Sequence, residues 1–575
     1  MATVSVDPSR PAELLASRPW LRHYEDGVPY TIDYPKISLG GLLEQTASKY
    51  PDQTATIFMG GRLTYRQIDE LSNRFANALI GLGVKKGDRV AIHLPNTPQF
   101  VIAYYGVMKT GAIVVPVNPL YVEREIEHQM NDSGAETIVT LSRFYPVVKN
   151  AQQQTKLRNV IVTNIKDYFP PLLKFLFGLT KEKSEGHAVP IQPIPGHYRW
   201  TDLLSRYPST RPGIDVSPDD VAVLLYTGGT TGVPKAAVLC HSNLIANAKQ
   251  VTSWVPGRQE GRETTLAVIP LFHSYGMTTA MNQPVMSGLT MVLIPRFTAD
   301  EVLKTIDKYR PNYFPGVPTM YVAINNHPDV KKYNIRSVKA CISGAATLPI
   351  EVAETFEALS GGRLVEGYGL SETSPVTHAN PIFGRRKIGS IGVPVPDTEA
   401  KVVDVETGQT EMPVGEPGEL VIRGPQVMKG YWNKPEETAQ VLRDGWLYTG
   451  DIAKMDEDGY FYIVDRKKDM IIAGGYNIYP RDVEEVLYQH PKVKEAVVAG
   501  VPDRYRGETV KAYVVLKDGE TATEEEILEY CAENLAKYKA PKIVEFRQEL
   551  PKTMIGKILR RSLVEEEKRK LQAQQ

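Results

Sequence analysis

A chain of 575 residues with 42% hydrophobic composition can bury several cores, since single domains usually run about 100–200 residues, and disorder is not its expected state. Its 67 Lys plus Arg balance 67 Asp plus Glu, which removes the basic excess on which a nucleic-acid partner would depend. The three cysteines, Cys240, Cys341 and Cys531, stand far apart with no CxxC or Cys/His cluster. That spacing excludes a disulfide scaffold or structural zinc site and fits a reducing, cytoplasmic setting.

Residues 1–19 have no basic start followed by an apolar core, and no stretch reaches the roughly 18 apolar residues that a membrane span requires. The apolar runs Arg89–Leu94 and Ala112–Val117 read as short buried strands, and Gln99–Lys109 between them carries helical spacing. Similar runs at Val221–Leu225, Leu266–Ile269, Met291–Ile294 and Val338–Ile342 extend this β-α-β alternation. The pattern predicts an α/β fold: a large, multi-lobed N-terminal domain with parallel-type sheets and active groups on loops beyond the strand ends.

From Thr398 the runs shorten, as in Gly418–Gly424 and Gly459–Asp465, and predict a β-rich subdomain. Arg481–Tyr488 and Glu524–Leu535 then read as helices, and Ala496–Val501 and Lys511–Leu516 as strands, enough for a small α+β domain. The polar tail after Arg561 reads as a solvated helix. The expected division is 28–464 for the large domain and 465–575 for the C-terminal one.

The sharpest local feature is Tyr226-Thr-Gly-Gly-Thr-Thr-Gly-Val-Pro-Lys235. Gly228, Gly229 and Gly232 permit close backbone approach, and the hydroxyls of Thr227, Thr230 and Thr231 can reach phosphate oxygens. Val233 and Pro234 separate the last glycine from Lys235, so this is not a Walker A loop.

The loop resembles the phosphate-binding signature of the acyl-adenylate-forming superfamily. Seven further segments similar to that family's motifs follow in the expected order: Phe272–Gly276, Ser343–Thr347, Gly367–Thr373, Tyr448–Asp451, Asp465–Asp469, Gly474–Asn477 and Pro551–Lys557. The likeness covers about residues 39–561.

The resemblance implies a role for each matching residue. ATP, Mg2+ and coenzyme A are the implied cofactors, with Glu372 and Thr227 as the hard oxygen ligands of Mg2+. Tyr368 stacks on adenine, and the backbone of Gly344, Ala345 and Ala346 closes that pocket beside Gly367, Gly369, Ser371 and Thr373. Asp451 accepts the ribose hydroxyls, with Ile463 and Arg466 nearby, and Lys235 belongs to the phosphate loop. Lys557 meets the substrate carboxylate and α-phosphate, where two anions converge. Gly474, Gly475 and Tyr476 line the pantetheine path when the C-terminal domain swings about a hinge at Asp465. His273, with Tyr275 and Met277, stands near the acyl entrance.

The implied activity is an AMP-forming acid–thiol ligase. The stretches Asp444–Asp451 and Asp469–Pro480 are closer to fatty-acyl-CoA synthetases than to amino-acid-activating domains, which favours a long-chain fatty acid as the partner. An aryl- or medium-chain acid on the same fold is the alternative. A peptide-synthetase domain is disfavoured because no Gly-Gly-x-Ser-Leu carrier segment follows Lys557, and a non-catalytic lipid or nucleotide binder because Thr227, Glu372, Asp451 and Lys557 are intact. The insertion Asp167–Lys183, apolar and aromatic bulk followed by lysines, has the composition of an interfacial segment. Peripheral contact at the inner face of the membrane and a homodimer are both compatible with these features.

Overall fold

The computed structural model describes residues 18–191, 193–227, 234–467, 469–473, 476–503, 507–553 and 558–574. The chain divides into two compact units, one formed by residues 1–399 and 423–442, the other by 400–422 and 443–575.

In the first unit, β1 (Thr54–Phe58) and β2 (Gly61–Thr64) form a hairpin, followed by helix α1 (Tyr65–Gly81). The Thr64 hydroxyl accepts the Gln67 backbone N–H at 3.2 Å while the Gln67 side chain accepts that of Thr64 at 2.9 Å. This reciprocal cap fixes where the helix starts. Next come β3 (Arg89–His93), α2 (Pro98–Thr110) and β4 (Ile113–Pro116), a parallel β-α-β crossover. Thr97 caps α2, Pro98 opens it, and Gly111 at φ 69° ends it. Every residue of α2 is buried, because core surrounds the helix on all sides.

The sheet continues with β5 (Thr137–Leu141), β6 (Asn159–Thr163), β7 (His197–Arg199), β8 (Val221–Thr227) and β9 (Lys235–Cys240). Helix α3 (Pro171–Thr180) lies between β6 and β7. The seven strands run in the order β7-β6-β5-β3-β4-β8-β9. All neighbours are parallel except β8 and β9, which are antiparallel. Strands β10 (Thr264–Ala267) and β11 (Thr290–Leu293) join β1 and β2 in a second sheet. A third contains β12 (Ala340–Ser343), β13 (Arg363–Gly369), β14 (Val376–Ala379) and β15 (Val393–Pro394). The run expected from Val338 starts at Ala340, because the Val338 N–H closes a turn onto Ile335.

The second unit holds the β-rich segment: β16 (Glu399–Val403), β17 (Gly418–Arg423), β18 (Leu442–Arg443), β19 (Trp446–Met455) and β20 (Phe461–Arg466). It also holds an α+β layer of β21 (Ile471–Ala473), β22 (Tyr476–Ile478), α4 (Pro480–Gln489), β23 (Val493–Asp503), β24 (Gly507–Leu516), α5 (Glu524–Asn534), β25 (Ile543–Phe546) and α6 (Arg560–Gln574). Ile471, Val483, Leu487, Val498, Val514 and Ile527 form its core. The C-terminal helix is not solvated throughout: Leu563 is buried with Tyr513 and Leu550. Cys240, Cys341 and Cys531 are buried free thiols. Among the described residues, no helix is long and apolar enough to cross a membrane.

Candidate active site

In the first unit the expected nucleotide residues converge on the end of the β8–β9 hairpin. Thr227 and Lys235 are register partners at its turn end, and the Thr227 hydroxyl donates to the Lys235 carbonyl at 3.3 Å. Gly228, Gly229, Thr230, Thr231 and Gly232, which connect them, lie outside the described residues.

The turn Ser371–Thr373 neighbours both β8 and β9. Glu372 on this turn accepts a hydrogen bond from the Tyr431 hydroxyl at 2.8 Å. Lys235 Nζ sits 5.4 Å from the centre of the Tyr431 ring, within cation–π range. Residues 429–432 run beside β9 with an isolated bridge between Tyr431 and Ala237: Lys429 N–H bonds the Val238 carbonyl, Val238 N–H that of Gly430, and Trp432 N–H that of Ala236. Burial, then the Glu372 charge, pushes the Tyr431 phenol well above its ordinary pKa, so it stays a donor. Tyr431 therefore ties Lys235 to Glu372, a role the sequence reading missed. Tyr431→Phe is expected to weaken adenylation by roughly two- to tenfold, the worth of one such hydrogen bond, read as pyrophosphate exchange; an unchanged rate would deny Tyr431 that role.

Gly367, Tyr368 and Gly369 end β13. Tyr368 faces His378 across the β13–β14 pair, with ring centres 5.9 Å apart. A Cβ at Gly369 would stand 1.9 Å from the Pro375 carbonyl oxygen, so glycine is required there. The Thr373 hydroxyl is fully buried and committed to backbone, donating to the Pro375 carbonyl at 2.5 Å and accepting the Leu370 N–H at 3.0 Å. Ser371 lies 3.4 Å from Ser274, hydroxyl to hydroxyl.

Ser274 belongs to a short helix whose first N–H groups His273 caps, Nδ1 accepting from Tyr275 N–H at 3.3 Å. The Tyr275 hydroxyl donates to the Ile342 carbonyl at 2.5 Å, and its ring lies against Gly344. Ala345, exposed like Ala346, holds φ at 70°, a left-handed conformation uncommon outside glycine. Met277 to Asn282 continue as a π-helix, a widening frequent at functional sites that apolar spacing does not announce. Thr227, Lys235, Tyr368, Ser371, Glu372 and His273 are thus all half-buried on loops and strand ends.

In the second unit, Asp451 and Arg466 are register partners on β19 and β20, with Arg466 Nε 2.9 Å from Asp451 Oδ1. Asp451 is buried and Ile463 half-buried on β20. Asp465 is 5% exposed and takes N–H groups from Arg466 at 2.7 Å and Arg481 at 2.9 Å. Arg560 Nη1 lies 3.7 Å from it, and Arg560 also pairs with Asp469 at 2.8 Å and Glu484 at 2.7 Å. Gly474, Gly475 and Lys557 lie outside the described residues, as does the Tyr476 side chain.

Burial raises the Asp465 pKa from 3.8 to about 6, against the opposing pull of Arg560. The folded protein holds this proton to higher pH than the unfolded chain, so ionising Asp465 opposes folding and stability falls as pH rises from about 4 to about 6. Asp465→Asn should gain on the wild type by about 2–3 kcal/mol across that window, followed as unfolding midpoints; parallel pH profiles would contradict it.

The AMP-binding enzyme family matches residues 43–432, and the AMP-binding enzyme C-terminal domain matches 482–557. The chain belongs to the AMP-binding enzyme family. A relative named long-chain-fatty-acid–CoA ligase from Bacillus subtilis (strain 168) is 49% identical, covering 96% of this chain and 98% of the relative. Among solved structures, an anthranilate CoA ligase in complex with anthranoyl-AMP superposes with a TM-score of 0.81 at 29% identity, over 92% of this chain and 97% of that one. A Mycobacterium tuberculosis fatty acyl CoA synthetase gives 0.71 at 30% identity, over 92% and 98%. As an AMP-binding enzyme related to CoA ligases, the chain fits ATP and CoA as substrates.

Proposed function

We propose that the chain is an ATP-dependent long-chain fatty-acid–CoA ligase. The supporting observation is the extent of the likeness to the Bacillus ligase, 96% of this chain, which takes in both the β8–β9 nucleotide turn and the C-terminal segment. In the first half-reaction a fatty-acid carboxylate oxygen attacks the α-phosphorus of ATP. The new P–O bond forms as the bond to pyrophosphate breaks, giving acyl-AMP. In the second, the CoA sulfur attacks the acyl carbonyl, its proton passes to solvent, and AMP leaves. The first step is needed because a free carboxylate repels a thiolate and has no good leaving group.

Thr227, the loop 228–232 and Lys235 are assigned to the phosphates, and Tyr368 with Gly344 to Ala346 to adenine. Asp451 and Arg466, paired in the second unit, are assigned to ribose and its phosphate. Lys557 is assigned to the reacting carboxylate and α-phosphate, and residues 474–476 to the pantetheine arm.

Among the described residues, no three His, Cys, Asp or Glu are grouped as a metal cage. The Glu372 carboxylate and Thr227 hydroxyl nevertheless suit Mg2+, which is held by one or two protein oxygens together with substrate phosphates. Bound there, Mg2+ would neutralise phosphate charge. Tyr431 contributes by fixing one oxygen of Glu372, leaving the other for that duty. We assign residues 465–575 as the segment that alternates between the two half-reactions, with Asp465 at its hinge.

The anthranoyl-AMP complex of the aryl ligase supports an aromatic acid as the second reading. Incubation with ATP and labelled palmitate should accumulate acyl-AMP until CoA is added, then give palmitoyl-CoA. Failure with palmitate but turnover of benzoate would favour the aromatic acid.

A further inference from the structure

We propose that α3 is a docking face for an anionic lipid surface. The ten-residue helix is anchored on one side only. Phe177, 7% exposed, turns inward onto Phe169 and His187, with ring centres at 5.4 and 6.0 Å. Leu172, Phe175, Leu176 and Leu179 repeat at the i, i+3, i+4, i+7 spacing of a single helical stripe, and their exposures are 72, 64, 45 and 70%. A helix normally buries such a stripe. Here the buried position falls outside it.

A Cβ at Gly61 would lie 2.3 Å from the Tyr168 carbonyl oxygen, so the β1–β2 turn abuts the chain entering α3, and Met59 on that turn is 39% exposed.

Charge selects the occupant. Lys181 and Lys183, just past the helix end, and Arg62 beside Met59 are exposed cations. Of the nearby acids, Glu182 is engaged by Lys166, and Asp167 accepts the Thr163 hydroxyl and the Asn164 N–H, both at 2.8 Å, leaving Glu185 exposed. An apolar stripe rimmed by cations matches acyl chains beneath anionic headgroups. A second copy fits less well, since a stripe about 15 Å long and about 10 Å wide falls far below the roughly 800 Å2 that each partner of a stable dimer buries.

The test is flotation of the full chain with phosphatidylcholine vesicles, with and without about a quarter phosphatidylglycerol. The wild type should float with the anionic vesicles, and less at high salt. Changing Leu172, Phe175, Leu176 and Leu179 to Ser should cut binding by at least about tenfold while leaving ligase activity in lipid-free buffer intact. A Lys181→Glu/Lys183→Glu variant should lose on the order of tenfold toward anionic vesicles only. No flotation of the wild type, or equal flotation of the Ser variant, would overturn the proposal. So would a wild-type dimer that the Ser variant dissolves, because the face would then belong to a second copy. Flotation requires neither ATP nor CoA, so it fails or succeeds separately from the ligase reading.

Discussion

Lys557→Ala should abolish acid-dependent pyrophosphate exchange, by on the order of 10^2–10^3-fold or more, while thiolysis of supplied acyl-AMP stays within about threefold of wild type. The asymmetry follows from charge. In adenylation a carboxylate must approach a phosphoryl group that already carries negative oxygens, and a positioned ammonium offsets both the approach and the charge developing in the transition state. In thiolysis the acyl carbon is already activated, and AMP departs without a second anion being driven onto phosphorus. Equal loss in both assays would reject this division of labour and show that Lys557 serves the fold or ATP binding alone.

Glu372→Gln should lower adenylation by on the order of 10^2–10^3-fold, with partial recovery at high Mg2+ concentration. Gln keeps the size of the side chain and can still accept the Tyr431 hydroxyl, which bonds Glu372 at 2.8 Å. What it loses is the negative charge that a hard cation requires. Comparison with Tyr431→Phe then separates charge from orientation: the Gln variant should respond to Mg2+ far more strongly. If Glu372→Gln lost less than about threefold at saturating ATP, the carboxylate would have no place in the metal site.

The β-α-β order was legible because its signals are local. Arg89–His93, Pro98–Thr110 and Ile113–Pro116 lie within a residue or two of the apolar runs that announce them, since Thr97 and Gly111 mark the helix ends chemically. The resemblance of the chain's motifs singled out Thr227, Lys235 and Glu372, and in the fold Thr227 stands opposite Lys235 while Tyr431 lies between Lys235 and Glu372. Tyr431 stayed hidden because it sits 59 residues from Glu372 and acquires its role only when residues 429–432 pair with β9; no periodicity records a tertiary pairing. The π-helix at Met277–Asn282 was hidden for a related reason, since a widened turn keeps the composition of an ordinary buried helix.

The insertion at α3 shows the opposite limit. Composition singled it out, but apolar residues look alike in sequence whether they fill a core or face solvent. Only the fold separates Phe177, turned inward, from Phe175 and Leu179, turned out. Leu563 is the converse, one buried anchor within a tail whose overall polarity suggested solvent.

The most direct test of the ligase reading is AMP release that depends on both ATP and CoA, measured with purified enzyme across acetate, octanoate, palmitate, oleate and benzoate. The account predicts that kcat/KM is highest for palmitate or oleate and that AMP and acyl-CoA form in equal amounts. Highest kcat/KM for benzoate or octanoate, or AMP release without CoA dependence, would contradict it.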